Sequence, residues 1–265
     1  MNICMAGALG RMGRRILELA AADAELSIGG AFDVPERAGE GFSVGHESGN
    51  ASEVALSVTA TEALEASDVL IDFTMAGVCM DNVRAAANGG KAVVLGTTGL
   101  SDHDKKELEV LAHKVPIVFA PNFSVGVNLL FKLVGEAASV LGLDYNVEIT
   151  EIHHNQKVDS PSGTAVRLAE CAADALELSY ADDTKHGREG MEGVRPVREI
   201  GMHAIRGGDV AGEHTVAFIG QGERVELTHR AHNRDNFARG ALIAAKFAVH
   251  AEPGLYDMQD VLGLK

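Results

Sequence analysis

Short apolar runs alternate with amphipathic stretches through the first half of the chain. Residues 2–6 read as a buried strand, and 11–22 as a helix gathering Met12, Ile16, Leu19 and Ala20 on one face. Further strands are predicted over 26–32, 54–58, 69–73, 92–95 and 117–119, with helices over 77–87 and 102–113. Strands separated by helices call for right-handed crossovers and a mostly parallel sheet. Past Asn122 the rhythm changes. A long helical run over 125–141 leads to a strand over 147–152, a polar loop from His153 to Gly163, and a helix over 164–176. Residues 182–196, rich in charge and glycine, read as a long loop. Three strands, 199–205, 214–218 and 224–229, follow without helices between them, which predicts a second sheet, open and partly antiparallel. Residues 235–250 form a last helix. The expected class is α/β.

The length of 265 residues allows one large domain or two modest ones, and 46% hydrophobic residues provide ample core. Lys and Arg number 23 against 38 Asp and Glu, a net charge of −15. That balance argues against a general binder of nucleic acid or of anionic membranes, because phosphates need a positive field. An anionic substrate must be held by a local cluster of cations. Cys4, Cys79 and Cys171 are too few and scattered for a disulfide framework and lack metal-ligand spacing. Glycines and arginines interrupt the opening residues at once, so neither a signal peptide nor a membrane span is expected, and the cytoplasm is the expected location.

Gly7-Ala8-Leu9-Gly10-Arg11-Met12-Gly13 joins the first strand to the first helix. In that context glycines let a backbone approach a pyrophosphate, and the helix start offers N–H groups and a positive dipole end. The spelling is GxxGxxG, with Leu9 at the usual second glycine, so a plain strand-to-helix turn is the competing reading. Asp33 ends the second strand, where an acid commonly accepts hydrogen bonds from the adenosine ribose. It would repel a 2′-phosphate, and Val34 cannot neutralise one. NADH is therefore expected over NADPH, with Arg11 or Arg37 as groups that would rescue the latter. Two further strand ends, Gly96-Thr97-Thr98-Gly99 and Ala120-Pro121-Asn122-Phe123, offer backbone and small polar groups to a nicotinamide, or are ordinary loops.

Residues 151–164 crowd His153, His154, Lys157 and Asp159 between a strand and a helix start, Ser160-Pro161-Ser162-Gly163-Thr164. Hydroxyl caps and free N–H groups there attract a carboxylate. Adjacent strand residues point to opposite faces, so His153 and His154 are poorly placed to share a metal, and none is expected. Proton transfer or substrate binding competes with an ordinary structural role for both.

Several segments resemble 4-hydroxy-tetrahydrodipicolinate (dihydrodipicolinate) reductases. They are Ala6 through Gly13, Ile71-Asp72-Phe73-Thr74, Gly96-Thr97-Thr98-Gly99, Asn122 through Asn128, the 153–164 string and the closing 254–262. The match runs in order along the chain, and the His-His-x-x-Lys-x-Asp-x-Pro-Ser-Gly-Thr string is its most specific part. The resemblance implies a Rossmann-like dinucleotide-binding domain over 1–124 and 235–265. It also implies an α+β substrate and oligomerisation domain with a mixed open sheet over 125–234, in a homotetramer. It implies His153 as proton donor, Lys157 as second catalytic residue, and His154, Gly163 and Thr164 as substrate-binding residues. Gly7, Ala8, Leu9, Gly10, Arg11, Met12, Asp33, Gly96, Thr97, Thr98, Ala120, Pro121, Asn122 and Phe123 match its cofactor positions. Val34 stands where some members carry arginine, and Ser160 where alanine is common. The implied reaction passes hydride from a nicotinamide to a cyclic dicarboxylate in lysine and diaminopimelate synthesis, with hinge closure expected to bring the ligands together. An imine or amino-acid dehydrogenase shares the glycine turn and Asp33 but not the 153–164 string. A non-catalytic NADH sensor is the other alternative.

Overall fold

The computed structural model describes residues 1–46, 49 and 51–265. They divide into two compact units, Met1–Val125 with Asp235–Lys265, and Gly126–Arg234. The first unit opens with β1 (Asn2–Ala6), α1 (Arg11–Ala21) and β2 (Ser27–Phe32). After them come β3 (Gly41–Val44), β4 (Ser52–Ala55), α2 (Ala60–Leu64), β5 (Val69–Asp72), α3 (Ala76–Asn88), β6 (Ala92–Leu95), α4 (Asp102–Ala112) and β7 (Pro116–Phe119). The second unit carries most of α5 (Val125–Leu141), then β8 (Asn146–His153), α6 (Gly163–Ala175), α7 (Tyr180–Asp183) and β9 (Thr184–His186). It closes with β10 (Ile200–Arg206), β11 (Gly212–Ile219) and β12 (Arg224–Ala231). The chain then returns to the first unit as α8 (Asp235–His250), β13 (Gly254–Tyr256) and α9 (Met258–Val261).

Among the described residues the first unit is built on a six-stranded sheet ordered β13-β7-β6-β5-β1-β2, with every neighbouring pair parallel. Its central strands are apolar without alternation because helices cover both faces. Ile16, Leu17 and Ala20 of α1 join Ala241, Leu242 and Ala245 of α8 on one side. Ala63 of α2, Val83 and Ala86 of α3 and Leu108 of α4 lie in the core of the other. Parallel strands put their carboxyl ends on one edge, and the chain reverses direction across the sheet beside β1, where such folds open a crevice.

The second unit has a five-stranded sheet ordered β12-β11-β8-β10-β9. β10 runs parallel to β8 and β9, whereas β11 is antiparallel to β8 and β12. Strict alternation along β8 buries Val147 and Ile149 against Leu130, Phe131 and Val134 of α5 and Leu168 and Ala172 of α6.

The structure corrects three expectations. The strand predicted over 54–58 is instead β4, which pairs antiparallel with β3 in a separate two-stranded sheet. Ser57, just past β4, donates its N–H to Ala31 O at the β2 edge of the large sheet. The loop predicted over 182–196 holds the end of α7, capped by Ser179, and β9 on the sheet edge. A three-residue edge strand is too short to show a period. The same holds for β13, which no apolar alternation announced. The stretch Val125–Asp144, within which the expected helix lies, is long and apolar enough to cross a membrane by length and composition. One face of its helix is built into the core of the second unit, as in the core helix of a globular protein.

Helix α1 starts so close to the turn before it that a Cβ on Gly13 would lie 2.1 Å from Gly7 O. Backbone is the obstacle, so the helix itself must shift. We expect Gly13→Ala to cost about 1–3 kcal/mol, the usual penalty of overpacking, read as a lower thermal midpoint; an unchanged midpoint contradicts this packing.

Candidate active site

The turn after β1 is held by backbone rather than by side chains. Gly7 N and Ala8 N both donate to Phe32 O, and Gly10 N donates to Gly7 O at 3.0 Å. Gly7 has φ +70, a left-handed conformation that disfavours other residues. Asp33, just past β2, reaches back: its Oδ2 accepts from Leu9 N at 2.8 Å and its Oδ1 from Val34 N at 2.9 Å. Gly7, Ala8, Leu9, Gly10, Arg11, Met12 and Asp33 thus form one cluster at the carboxyl ends of β1 and β2. Among the described residues no side chain caps the start of α1. Uncapped N–H groups, a left-handed glycine and an acid at the next strand end fit a pyrophosphate with its adjoining ribose.

The neighbouring strand ends are organised by a residue that the sequence reading left without a role. Asp72, fully buried at the end of β5, accepts from Thr74 N and Oγ1, Asn82 Nδ2 and Thr97 Oγ1 at 2.7–3.0 Å. Thr97 is locked by it, while Thr98 is exposed. Gly96 N donates to Asp72 O at 2.8 Å. After β7, Ala120 N bonds Leu95 O, Pro121 is exposed, and Asn122 Oδ1 accepts from Ser124 N. Phe123 is buried with its ring 5.4 Å from that of Phe73. An apolar strand ending in an acid was the available signal for Asp72.

In the second unit the cluster forms where β8 ends. Glu151 is wholly buried, and among the described residues four N–H groups point at its carboxylate. Oε2 faces His153 Nδ1 at 2.5 Å and accepts from Arg206 Nη1 at 2.8 Å. Oε1 accepts from Arg206 Nη2 at 2.8 Å and from Ser162 N at 3.1 Å. Ser162 caps α6 by accepting from Ala165 N, and its hydroxyl lies 3.0 Å from His214 Nε2. His214 in turn meets the His153 ring edge-on at 5.1 Å. Gly163 is exposed and Thr164 half-buried in the first turn of α6.

His154 stands outside this network. Its N–H bonds Val210 O at 2.8 Å, and its Nδ1 accepts from Gln156 N at 3.2 Å. Lys157, expected to offer its charge to a ligand, pairs with Asp159 at 2.8 Å. Asp159 is mostly exposed, so this pair is weak. Among the described residues no group of three or more His, Cys, Asp and Glu is arranged to hold a metal. Glu151 was findable from sequence, because it lies two residues from His153 on the same strand face. Arg206 and His214 were not, since only strand register sets Arg206 beside His153 and His214 beside Glu151.

Burial pushes the Glu151 carboxyl up, but Arg206, His153 and the Ser162 N–H together hold it below its ordinary range. Burial lowers the His153 imidazole, and Glu151 offsets part of that effect. His214 is pushed down to about 3, by burial first and by His153 second. The unfolded chain protonates this side chain near pH 6.5 and the folded chain resists. Its contribution to stability is full above that pH and erodes as pH falls. His214→Gln should therefore flatten the acid loss of stability between pH 6 and 4 by up to about 1.4 kcal/mol per pH unit. Denaturant titrations across that range check it, and an unchanged slope contradicts it.

Residues 1–123 match the family model described as dihydrodipicolinate reductase, N-terminus, and residues 126–262 the one described as dihydrodipicolinate reductase, C-terminus. The 4-hydroxy-tetrahydrodipicolinate reductase of Syntrophotalea carbinolica is 48% identical over 266 residues, covering 100% of both chains. Its counterpart in Geobacter sulfurreducens is 48% identical over 265 residues, covering 100% of this chain and 99% of the relative. The solved structure of dipicolinate-bound dihydrodipicolinate reductase from Paenisporosarcina sp. TG-14 aligns with a TM-score of 0.78 over 98% of each chain, at 24% identity, a likeness of fold. With both parts matched and near-half identity along its whole length, the chain belongs to the dihydrodipicolinate reductase family.

Proposed function

We propose that this chain reduces 4-hydroxy-tetrahydrodipicolinate to tetrahydrodipicolinate in lysine and diaminopimelate synthesis, using NADH in preference to NADPH. The observation that carries the reading is His153, whose Nδ1 is committed to Glu151, so that in this reading Nε2 serves the ligand. In this reading the first unit holds the dinucleotide through Gly7, Ala8, Leu9, Gly10, Arg11, Met12 and Asp33. Gly96, Thr97, Thr98, Ala120, Pro121, Asn122 and Phe123 complete that site. Water is lost from the 4-hydroxy ring, leaving a C=C bond conjugated with C=N, and a bound NAD(P)H would supply hydride to the ring carbon so made electrophilic. The chain's own part is to hold a doubly negative ring and move a proton. The start of α6, with Gly163 and Thr164, takes one carboxylate by hydrogen bonds and dipole. Lys157 and His154 add a cation and a donor, and carboxylate binding draws Lys157 from the exposed Asp159. His153 gives its proton to the enamine left by hydride addition, which is general acid catalysis.

Cofactor choice in this proposal rests on charge. Asp33 repels a 2′-phosphate, Val34 is exposed and neutral, and Arg37 is engaged by Glu40. A cytoplasmic homotetramer, with the second unit carrying both substrate and assembly contacts, completes the proposal; light scattering reads the assembly.

The test is NADH oxidation with the substrate made in place by the synthase of the preceding step. Turnover is expected for the intact protein. His153→Ala should lower kcat by about 10²–10⁴-fold, the usual worth of a proton-transfer group, and Lys157→Ala should also lower kcat, with NADH affinity retained in both. Asp33→Ala should weaken NADH binding by roughly 10-fold, as for a hydrogen bond to a charged group, and spare kcat. No NADH oxidation by the intact protein overturns the proposal, and a kcat/KM clearly higher with NADPH overturns the cofactor preference.

A further inference from the structure

We infer that Glu151 is the positioning residue of the second unit: it sets which nitrogen of His153 carries the mobile proton and keeps that imidazole aligned with the first turn of α6. The inference rests on the reading that His153 transfers a proton.

The carboxylate is saturated. Each oxygen accepts two hydrogen bonds, from His153 and Arg206 on one side and from Arg206 and Ser162 on the other. An ionised carboxylate only accepts, so Nδ1 of His153 must be the protonated nitrogen in the neutral ring. Nε2 is then the atom that gains and loses a proton. It faces Gly212 at the start of β11, where a Cβ would approach it to 3.0 Å. Glycine at that position keeps the working nitrogen clear.

The Ser162 contact gives the same carboxylate a second task. Ser162 is the N-cap of α6, and its N–H is fixed by Glu151 while its hydroxyl caps Ala165 N. One buried acid therefore sets the spacing between the imidazole and the helix start. Arg206 secures the acid with two parallel bonds and ties the loop by donating to Asp159 O at 2.7 Å.

The surroundings fix the direction of the electrostatic effect. The groups facing His153 are Glu151 on its own strand, Arg206 at the end of β10 and His214 on β11. Lys157, with its partner Asp159, faces it from the loop. With Glu151 neutralised, Arg206 and Lys157 leave a net positive field that disfavours the imidazolium. A glutamine also has one acceptor oxygen for four donors. Turning its amide N–H₂ toward His153 forces Nδ1 to accept and moves the proton to Nε2.

The experiment compares the full-length protein with Glu151→Gln and Glu151→Asp. Long-range proton–nitrogen NMR on histidine-labelled protein reports the tautomer and titration of His153, and coupled assays report the pH dependence of kcat. Expected are an Nδ1–H tautomer in the parent, and its loss in Glu151→Gln with kcat lower by about 10²-fold and NADH affinity unchanged. The alkaline limb of kcat moves to lower pH. Glu151→Asp, which keeps the charge, should restore the limb in part. Should Glu151→Gln not fold, Glu151→Gln/Arg206→Gln removes both buried charges together and carries the same readouts. A variant that keeps the tautomer and the pH limb while losing only thermal stability overturns the inference. If the parent itself turns over no substrate, the proposed function falls, and the NMR comparison still decides whether Glu151 holds the tautomer.

Discussion

Glu151 has no contact with solvent and no lone pair to spare. A buried carboxylate is tolerable only when its charge is paired and its oxygens are filled, and that requirement organises the second unit. Satisfying it takes a histidine from the same strand, an arginine from the parallel neighbour and the N–H that opens α6. None of these can move without leaving a buried charge exposed to an empty acceptor. The first unit answers the same problem at the end of β5, where Asp72 gathers Thr74, Asn82 and Thr97. In each unit a buried acid at or near the end of a strand ties the adjoining loops by hydrogen bonds, and those loops carry the candidate ligand-binding residues.

A chain with a net charge of −15 gains no general attraction for an anion. The answer is local, and the two helix starts differ. Gly10 precedes α1 without a side-chain cap, which suits a phosphate lying against bare backbone. Ser162 caps α6 and is itself held by Glu151 and His214, which fixes the helix start beside the His153 imidazole. Many remaining acids are paired with arginines. Glu148 is an example: burial raises its carboxyl, yet Arg188, His203 and Arg195 hold it at about 2.

Most of the fold was legible because its signals are local. The buried apolar runs of β1, β5 and β6, the stripe of α1 and the grouped strands of the second unit all sit in contiguous sequence. The short edge strands β9 and β13 were missed because pairing with a neighbour, rather than their own pattern, makes them strands. Of the β3–β4 pair the sequence predicts only a strand over 54–58, because a single apolar alternation does not show where its partner lies. At the candidate site, glycine spacing and the 153–164 string mark the candidate ligand-binding residues. The residues that hold them, Asp72, Arg206 and His214, come from register and burial, which no spacing along the chain encodes.

The central claim is that hydride enters the ring of a cyclic dicarboxylate and that a proton follows from the His153 side. Turnover with NADH deuterated at the transferable 4-position, in light and in heavy water, tests it most directly, with mass spectrometry of the product. The account predicts one deuterium on a ring carbon from the labelled cofactor, and a solvent-derived deuterium on the adjacent carbon in heavy water, formed slowly by His153→Ala. A product ring without cofactor deuterium, or solvent labelling formed at the same rate without His153, contradicts it.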